Sequence, residues 1–109
     1  MREIKAIIRP DRLSVVLHAL HGMRDLPGVT ISTVRGFGRR YPPAGGEQDF
    51  DEVEMTKIEI VVPATIAQEV VRAIEQAAHT GRVGDGKIFM LPVELAVKIR
   101  SGEQDVSAL

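Results

Sequence analysis

Residues 54–78 read EMTKIEIVVPATIAQEVVRAIEQAA, and within them the hydrophobic period changes from two to about 3.6. Ile58, Ile60 and Val62 alternate with Lys57 and Glu59. Side chains two apart share one face of a strand, so the segment Glu54 to Val62 is predicted as a half-buried strand. Pro63 ends it, because a ring nitrogen donates nothing to a ladder. Thr65 with Gln68 three residues on fits a capping box. The helix that follows carries Ile66, Val70, Ile74 and Ala77 on one stripe, and Thr80-Gly81 supplies its stop.

Outward from this unit, Glu3 to Ile8 is a β-branched run closed by Arg9-Pro10. Leu13, Val16, Leu17 and Leu20 then recur at helical spacing, with Asp11 as a candidate cap and Gly22 as the stop. Val29 to Val34 and Lys87 to Leu91 read as two further strands. Leu95, Val97 and Ile99 alternate with Ala96, Lys98 and Arg100 as a last edge segment, and residues 101–109 form a polar tail able to dock. The order β-α-β-β-α-β predicts an α+β, ferredoxin-like two-layer sandwich. Two helices cover one sheet face only. The other face, with residues such as Ile7 or Ile31, needs a shield, and homo-oligomerisation is the expected one.

Length and composition bound the rest. With 109 residues the chain holds one domain (1–109). The absence of Cys excludes disulfides, thiolate metal sites and Cys nucleophiles. No apolar run approaches the roughly 20 residues of a membrane span, and Met1-Arg2-Glu3-Ile4-Lys5 is no signal peptide, so a cytoplasmic location is expected. Fourteen bases against fifteen acids argue against general nucleic-acid binding, but not against a local basic pocket.

Several segments bear on chemistry. Thr80-Gly81-Arg82-Val83-Gly84-Asp85-Gly86-Lys87-Ile88-Phe89 packs three glycines and a lysine into one turn, where backbone N–H groups approach an anion closely. Gly81 to Lys87 fits part of a P-loop, but Ile88 replaces the Mg²⁺-binding hydroxyl and the segment joins helix to strand. Lys98 and Arg100 project from one strand face, about 7 Å apart. They serve either as edge protection or as phosphate ligands beside the glycine loop. Arg35-Gly36-Phe37-Gly38 matches the start of an RNA-recognition motif, yet Arg39 replaces the stacking aromatic and the first strand has none. His18 and His21 lack a third metal ligand. Pro42, Pro43, Gly45 and Gly46 make a long loop, and the acids Glu47 to Glu54 there lack the spacing of an EF-hand. No activated nucleophile, positioned water or general base is nominated, so no enzymatic activity is expected.

Taken together, these residues resemble the PII signal-transduction family. The resemblance is carried by Ile4-Lys5-Ala6-Ile7-Ile8-Arg9-Pro10, Val34-Arg35-Gly36-Phe37-Gly38-Arg39, Lys57-Ile58-Glu59-Ile60-Val61-Val62-Pro63, Thr80 to Phe89, and Ile99-Arg100-Ser101-Gly102-Glu103, in order. It implies a homotrimer with adenine nucleotide (ADP, ATP or AMP) in three intersubunit clefts, Mg²⁺ being left open. Carried over by position, Thr30 and the backbone near Val61 would hold the adenine. Gly84, Asp85, Gly86 and Lys87, within a nucleotide loop at 80–88, would cradle the phosphates. Lys98 and Arg100 would bind phosphate from the adjacent subunit, and Gly38 with Arg39 would complete the cleft. Lys98 stands where the family usually has Arg, which keeps the charge but not the bidentate fork.

Residues 39–53 or so match the family's T-loop, which docks on targets; a membrane transporter or metabolic enzyme is the partner implied. The loop is several residues shorter than in the nitrogen-regulatory members and lacks their Tyr-Arg-Gly block. Arg40 replaces a glutamine that helps bind Mg²⁺ and 2-oxoglutarate, and a cation donates no lone pair to a metal. Met55 replaces a lysine that contacts 2-oxoglutarate. A divergent PII-like regulator without 2-oxoglutarate sensing or uridylylation is therefore expected. In it Arg40 would serve a nucleotide phosphate or a second small anion such as bicarbonate. The alternatives are a conventional nitrogen-regulatory PII protein, or an RNA- or metal-binding module of the same fold.

Overall fold

Strand β1 (Arg2–Ile8) is the axis of the sheet, pairing antiparallel with β3 (Phe50–Val62) on one side and β4 (Gly86–Pro92) on the other. β2 (Thr30–Arg39) pairs with β3 at the far edge, giving the order β2-β3-β1-β4. Helices α1 (Leu13–His21) and α2 (Ala67–Ala78) complete the β-α-β-β-α-β sequence of a ferredoxin-like α+β fold. The computed structural model describes residues 1–39 and 50–109, with side chains for 1–38 and 52–109. Arg40 to Asp49, and the Arg39 side chain, lie outside the described residues.

The core follows the two periods read from the sequence. Ile4, Ala6 and Ile8 of β1 and Ile58, Ile60 and Val62 of β3 meet Val16 and Leu20 of α1 and Val70 and Ile74 of α2, all buried. Fully burying each such Val, Leu or Ile side chain contributes about 1.5–3 kcal/mol. Arg12 joins the helices: its Nε and Nη2 both donate to the Ala77 carbonyl, at 3.0 and 2.6 Å, in the last turn of α2.

Four local expectations change. Neither helix begins on a side-chain cap: a 3-10 turn, Pro10–Arg12 or Ala64–Ile66, precedes each one. Asp11 and Thr65 fall inside those turns, and the Arg12 and Ile66 amides bond instead to the Arg9 and Pro63 carbonyls at 3.0 and 3.2 Å. β2 and β3 also run further than expected, through Gly36 and Gly38. Cross-strand pairing overrides the weak strand preference of glycine, and an Arg35–Glu52 ion pair at 2.9 Å crosses the ribbon.

Ile7 faces away from the helices, as expected. Ile31 does not: it stands directly opposite Ile58 in the ladder, so it lies on the helix face, 44% exposed because β2 is an edge. Finally, residues 95–100 form no strand in the sheet. Lys98 N–H donates to the Glu103 carbonyl and Gly102 N–H to that of Lys98, both at 2.8 Å, and Val97 bridges to Gln104. The alternation read there belongs to a small hairpin, which the short-range turn Ser101-Gly102 closes with Gly102 at φ 76°. The tail ends in a 3-10 turn, Asp105–Ala108.

Candidate functional site

The glycine loop begins where α2 ends and leads into β4. Its centre is the Asp85 carboxylate, whose two oxygens turn inward to the loop's own backbone. Oδ2 accepts from the amides of Thr80 (2.8 Å) and Gly81 (2.9 Å), and Oδ1 accepts from the Thr80 hydroxyl. Arg9, on the last extended residue before Pro10, donates from Nε to Oδ1 at 2.8 Å and from Nη2 to the Val83 carbonyl at 2.7 Å. The Arg9 guanidinium and the Thr80 hydroxyl and amide hold the Asp85 carboxyl well below the usual carboxylate range. Gly81, Gly84 and Gly86 all have positive φ, a region that other residues enter at a cost.

Lys87 opens β4 opposite Ile7 on the uncovered sheet face, exposed and without an ion pair among the described residues. Lys57, opposite Ile7 on the other side, is instead engaged by Glu59 at 3.3 Å. Gly38 lies on the β2–β3 ribbon, opposite Asp51, beyond the Ile8 end of the sheet. Gly38, Gly84, Asp85, Gly86 and Lys87 thus share one end of the fold.

Thr30 on β2 and Val61 on β3 lie on the far side of β1 from Lys87. They line an open groove of about 480 Å³ with Glu3, Glu59, Ala108 and Leu109. Val61 is opposite Glu3, near where β1 begins and β4 ends. The hairpin bearing Lys98 and Arg100 is rooted at this same end: Val93 N–H donates to the Met1 carbonyl (3.2 Å), and Asp105 N–H to that of Ala96 (2.8 Å). Arg100 is exposed and Lys98 half-buried, and neither has an ion pair among the described residues.

Within one chain, therefore, Lys87 and the glycine loop lie at the β4 edge of the sheet and Thr30 at the opposite edge, β2, three strand spacings or about 14 Å away. The hairpin of Lys98 and Arg100 thus starts from the end of β4 opposite the glycine loop. Sequence reading missed Arg9, whose partners are 76 and 74 residues away, and the contribution of Ala108 and Leu109 to the groove. An Arg-Pro pair ending a strand carried no local sign of the first. Among the described residues no group of three His, Asp or Glu side chains is placed to hold a metal, and no helix is long and apolar enough to cross a membrane.

The model of the family described as "Nitrogen regulatory protein P-II" matches residues 1–103. The chain belongs to the PII family. Proteins named nitrogen regulatory protein P-II from Azospirillum brasilense and Synechocystis are each 42% identical to it over 113 aligned positions, and one from Haemophilus influenzae is 39% identical. In each case the whole of both chains is covered. PII proteins are signal-transduction regulators rather than enzymes, and a trimer fits the family. The five sequence blocks that suggested the resemblance all fall within the matched residues.

Proposed function

We propose that this PII chain is a single-domain regulator, cytoplasmic and homotrimeric, that binds ADP, ATP or AMP in clefts between subunits. It signals the bound nucleotide to a membrane transporter or metabolic enzyme through the T-loop. The observation that carries this reading is the separation of Thr30 and Lys87 to opposite edges of one subunit's sheet, with β3 and β1 between them. Each chain holds two half-sites, and a neighbour set head to tail closes each of them. The uncovered face, where Ile7 and the exposed Phe89 and Leu91 lie, supplies apolar surface for that contact.

In such a cleft Thr30 and the Val61 backbone hold the adenine. Gly84, Gly86 and Lys87 receive the phosphates, with Asp85 shaping their loop. Lys98 and Arg100 neutralise phosphate from the neighbouring subunit, and Gly38 with Arg39 closes the base of the T-loop. Arg40 adds a cation for a terminal phosphate or for bicarbonate. Because Arg40 offers no lone pair to Mg²⁺ and Met55 no cation to 2-oxoglutarate, the regulator works without 2-oxoglutarate, and because the Tyr-Arg-Gly block is absent it works without uridylylation. The second reading, a conventional nitrogen-regulatory PII protein, is favoured by the names of the full-length relatives.

Calorimetric titration with ADP, ATP and AMP, paired with light scattering for mass, tests the proposal. A trimer that takes up one nucleotide per chain is expected. A monomer, or a trimer that binds none of the three, contradicts it. Tight 2-oxoglutarate binding in the presence of Mg-ATP selects the second reading.

A further inference from the structure

We infer that Arg9 is the positioning residue of the loop at 80–86: it joins the Asp85 carboxylate to the Val83 carbonyl, shaping the loop for an anionic ligand and cancelling the charge at its centre. The inference rests on reading that loop as the phosphate cradle.

A carboxylate in the middle of an anion-binding loop is a contradiction unless something neutralises it. Here Asp85 accepts from Thr80 and Gly81, but those donors are neutral; among the described residues Arg9 is the cation hydrogen-bonded to it, while His79 Nδ1 lies 3.9 Å from Oδ2 and carries a charge only when protonated. The second arm of the same guanidinium engages the Val83 carbonyl, another electronegative group that an incoming phosphate would meet. Charge-assisted bonds of this kind are about twice as strong as neutral ones.

The anchor itself is rigid. Arg9 follows directly on β1, whose Ile4, Ala6 and Ile8 are fully buried, and the proline after it restricts its backbone to the extended region observed (φ −61°, ψ 138°). The loop is thereby referenced to the central strand of the sheet. Gly84 contributes by being small: a Cβ there would approach Arg9 Nη2 to 3.4 Å. A lysine at position 9 keeps the charge but lacks the planar fork that reaches Oδ1 and the Val83 carbonyl together.

The test compares Arg9→Met, Arg9→Lys and the double variant Arg9→Met/Asp85→Asn with the parent trimer. Calorimetric titration uses ATP, ADP and the phosphate-free control adenosine, and amide hydrogen exchange follows residues 80–86 without nucleotide. In Arg9→Met, exchange at Thr80 and Gly81 rises, and affinity for ATP and ADP falls about tenfold or more while that for adenosine is unchanged. Arg9→Lys retains part of both properties. The double variant regains part of the ATP affinity, because no uncancelled carboxylate is left in the loop. Equal losses for ATP and adenosine would reveal general damage and overturn the inference, as would unchanged exchange with unchanged affinity. If the parent binds no nucleotide, the functional reading fails, and the exchange arm alone decides the role of Arg9: unaltered protection at Thr80 and Gly81 in Arg9→Met overturns it.

Discussion

A Cβ on Gly86 would lie 1.8 Å from the carbonyl oxygen of Ile7. The two residues belong to neighbouring strands, and Gly86 reaches this approach at φ 98°. The close contact brings the start of β4 against β1 where the glycine loop enters the sheet. Both the contact and the positive φ are closed to any other residue without movement of backbone.

Gly86→Ala should therefore be among the most damaging small substitutions in the chain. Strain at positive φ costs about 1–3 kcal/mol and forced overpacking a similar amount, so a loss of about 3 kcal/mol or more is expected. Urea unfolding at fixed protein concentration measures it. A midpoint equal to that of the parent would show that the loop adjusts freely.

The Asp85–Arg9 pair predicts how stability depends on acidity. The folded pKa of Asp85 is depressed, so its contribution is fully present above the ordinary aspartate value of about 3.9 and is lost as pH falls through the lower folded value. The stability gap between the parent and Asp85→Asn should be wide near pH 7 and should close on acidification. A gap that stays constant down to about pH 3 and below would place the role of Asp85 elsewhere.

If each nucleotide cleft draws Lys87 from one subunit and Arg100 from the next, defects at the two positions should complement in trans. Lys87→Ala and Arg100→Ala homotrimers each bind ATP weakly. Trimers reassembled from an equal mixture should regain parental affinity in about a quarter of their clefts, the fraction in which both intact side chains meet. Titration of the mixture showing no tight sites at all would argue that both residues serve the same subunit's site.

The groove at Thr30 and Val61 predicts a different pattern. Leu109 is half-buried on its wall, and Leu109→Ala should weaken ATP, ADP and AMP binding alike, by roughly fivefold for about 1 kcal/mol of lost apolar contact. Lys87→Ala, by contrast, should cost more as the phosphate chain lengthens. A chain-length dependence for Leu109→Ala measured by the same titrations would remove the adenine from this groove.

The absence of a 2-oxoglutarate response is checked directly. With Mg-ATP present, the parent should give no binding heat for 2-oxoglutarate. Met55, half-buried on β3 opposite Val34, offers it no charge. A saturating isotherm would restore the conventional reading and make Arg40 a tolerated replacement.

Much of the fold was legible because it rests on local periodicity. The alternation at 57–62 and the helical stripe of Val70, Ile74 and Ala77 each concern one element, and burial of those faces follows from hydrophobicity alone. The turn chemistry of the glycine loop was legible too, since Gly81, Gly84 and Gly86 take the positive φ that glycine permits. Tertiary structure decided what depends on pairing between distant segments. The ladder register assigned Ile31 to the helix face, and cross-strand pairing carried β2 and β3 through Gly36 and Gly38. Backbone bonds within 96–105 turned an apparent strand into a hairpin. Only the folded chain joined Arg9 to Asp85 and rooted the Lys98 and Arg100 hairpin at the end of β4 away from the glycine loop. Periodicity reports which face of an element is apolar, whereas register and the placement of distant elements arise from hydrogen bonds between residues many tens of positions apart, and no local pattern encodes them.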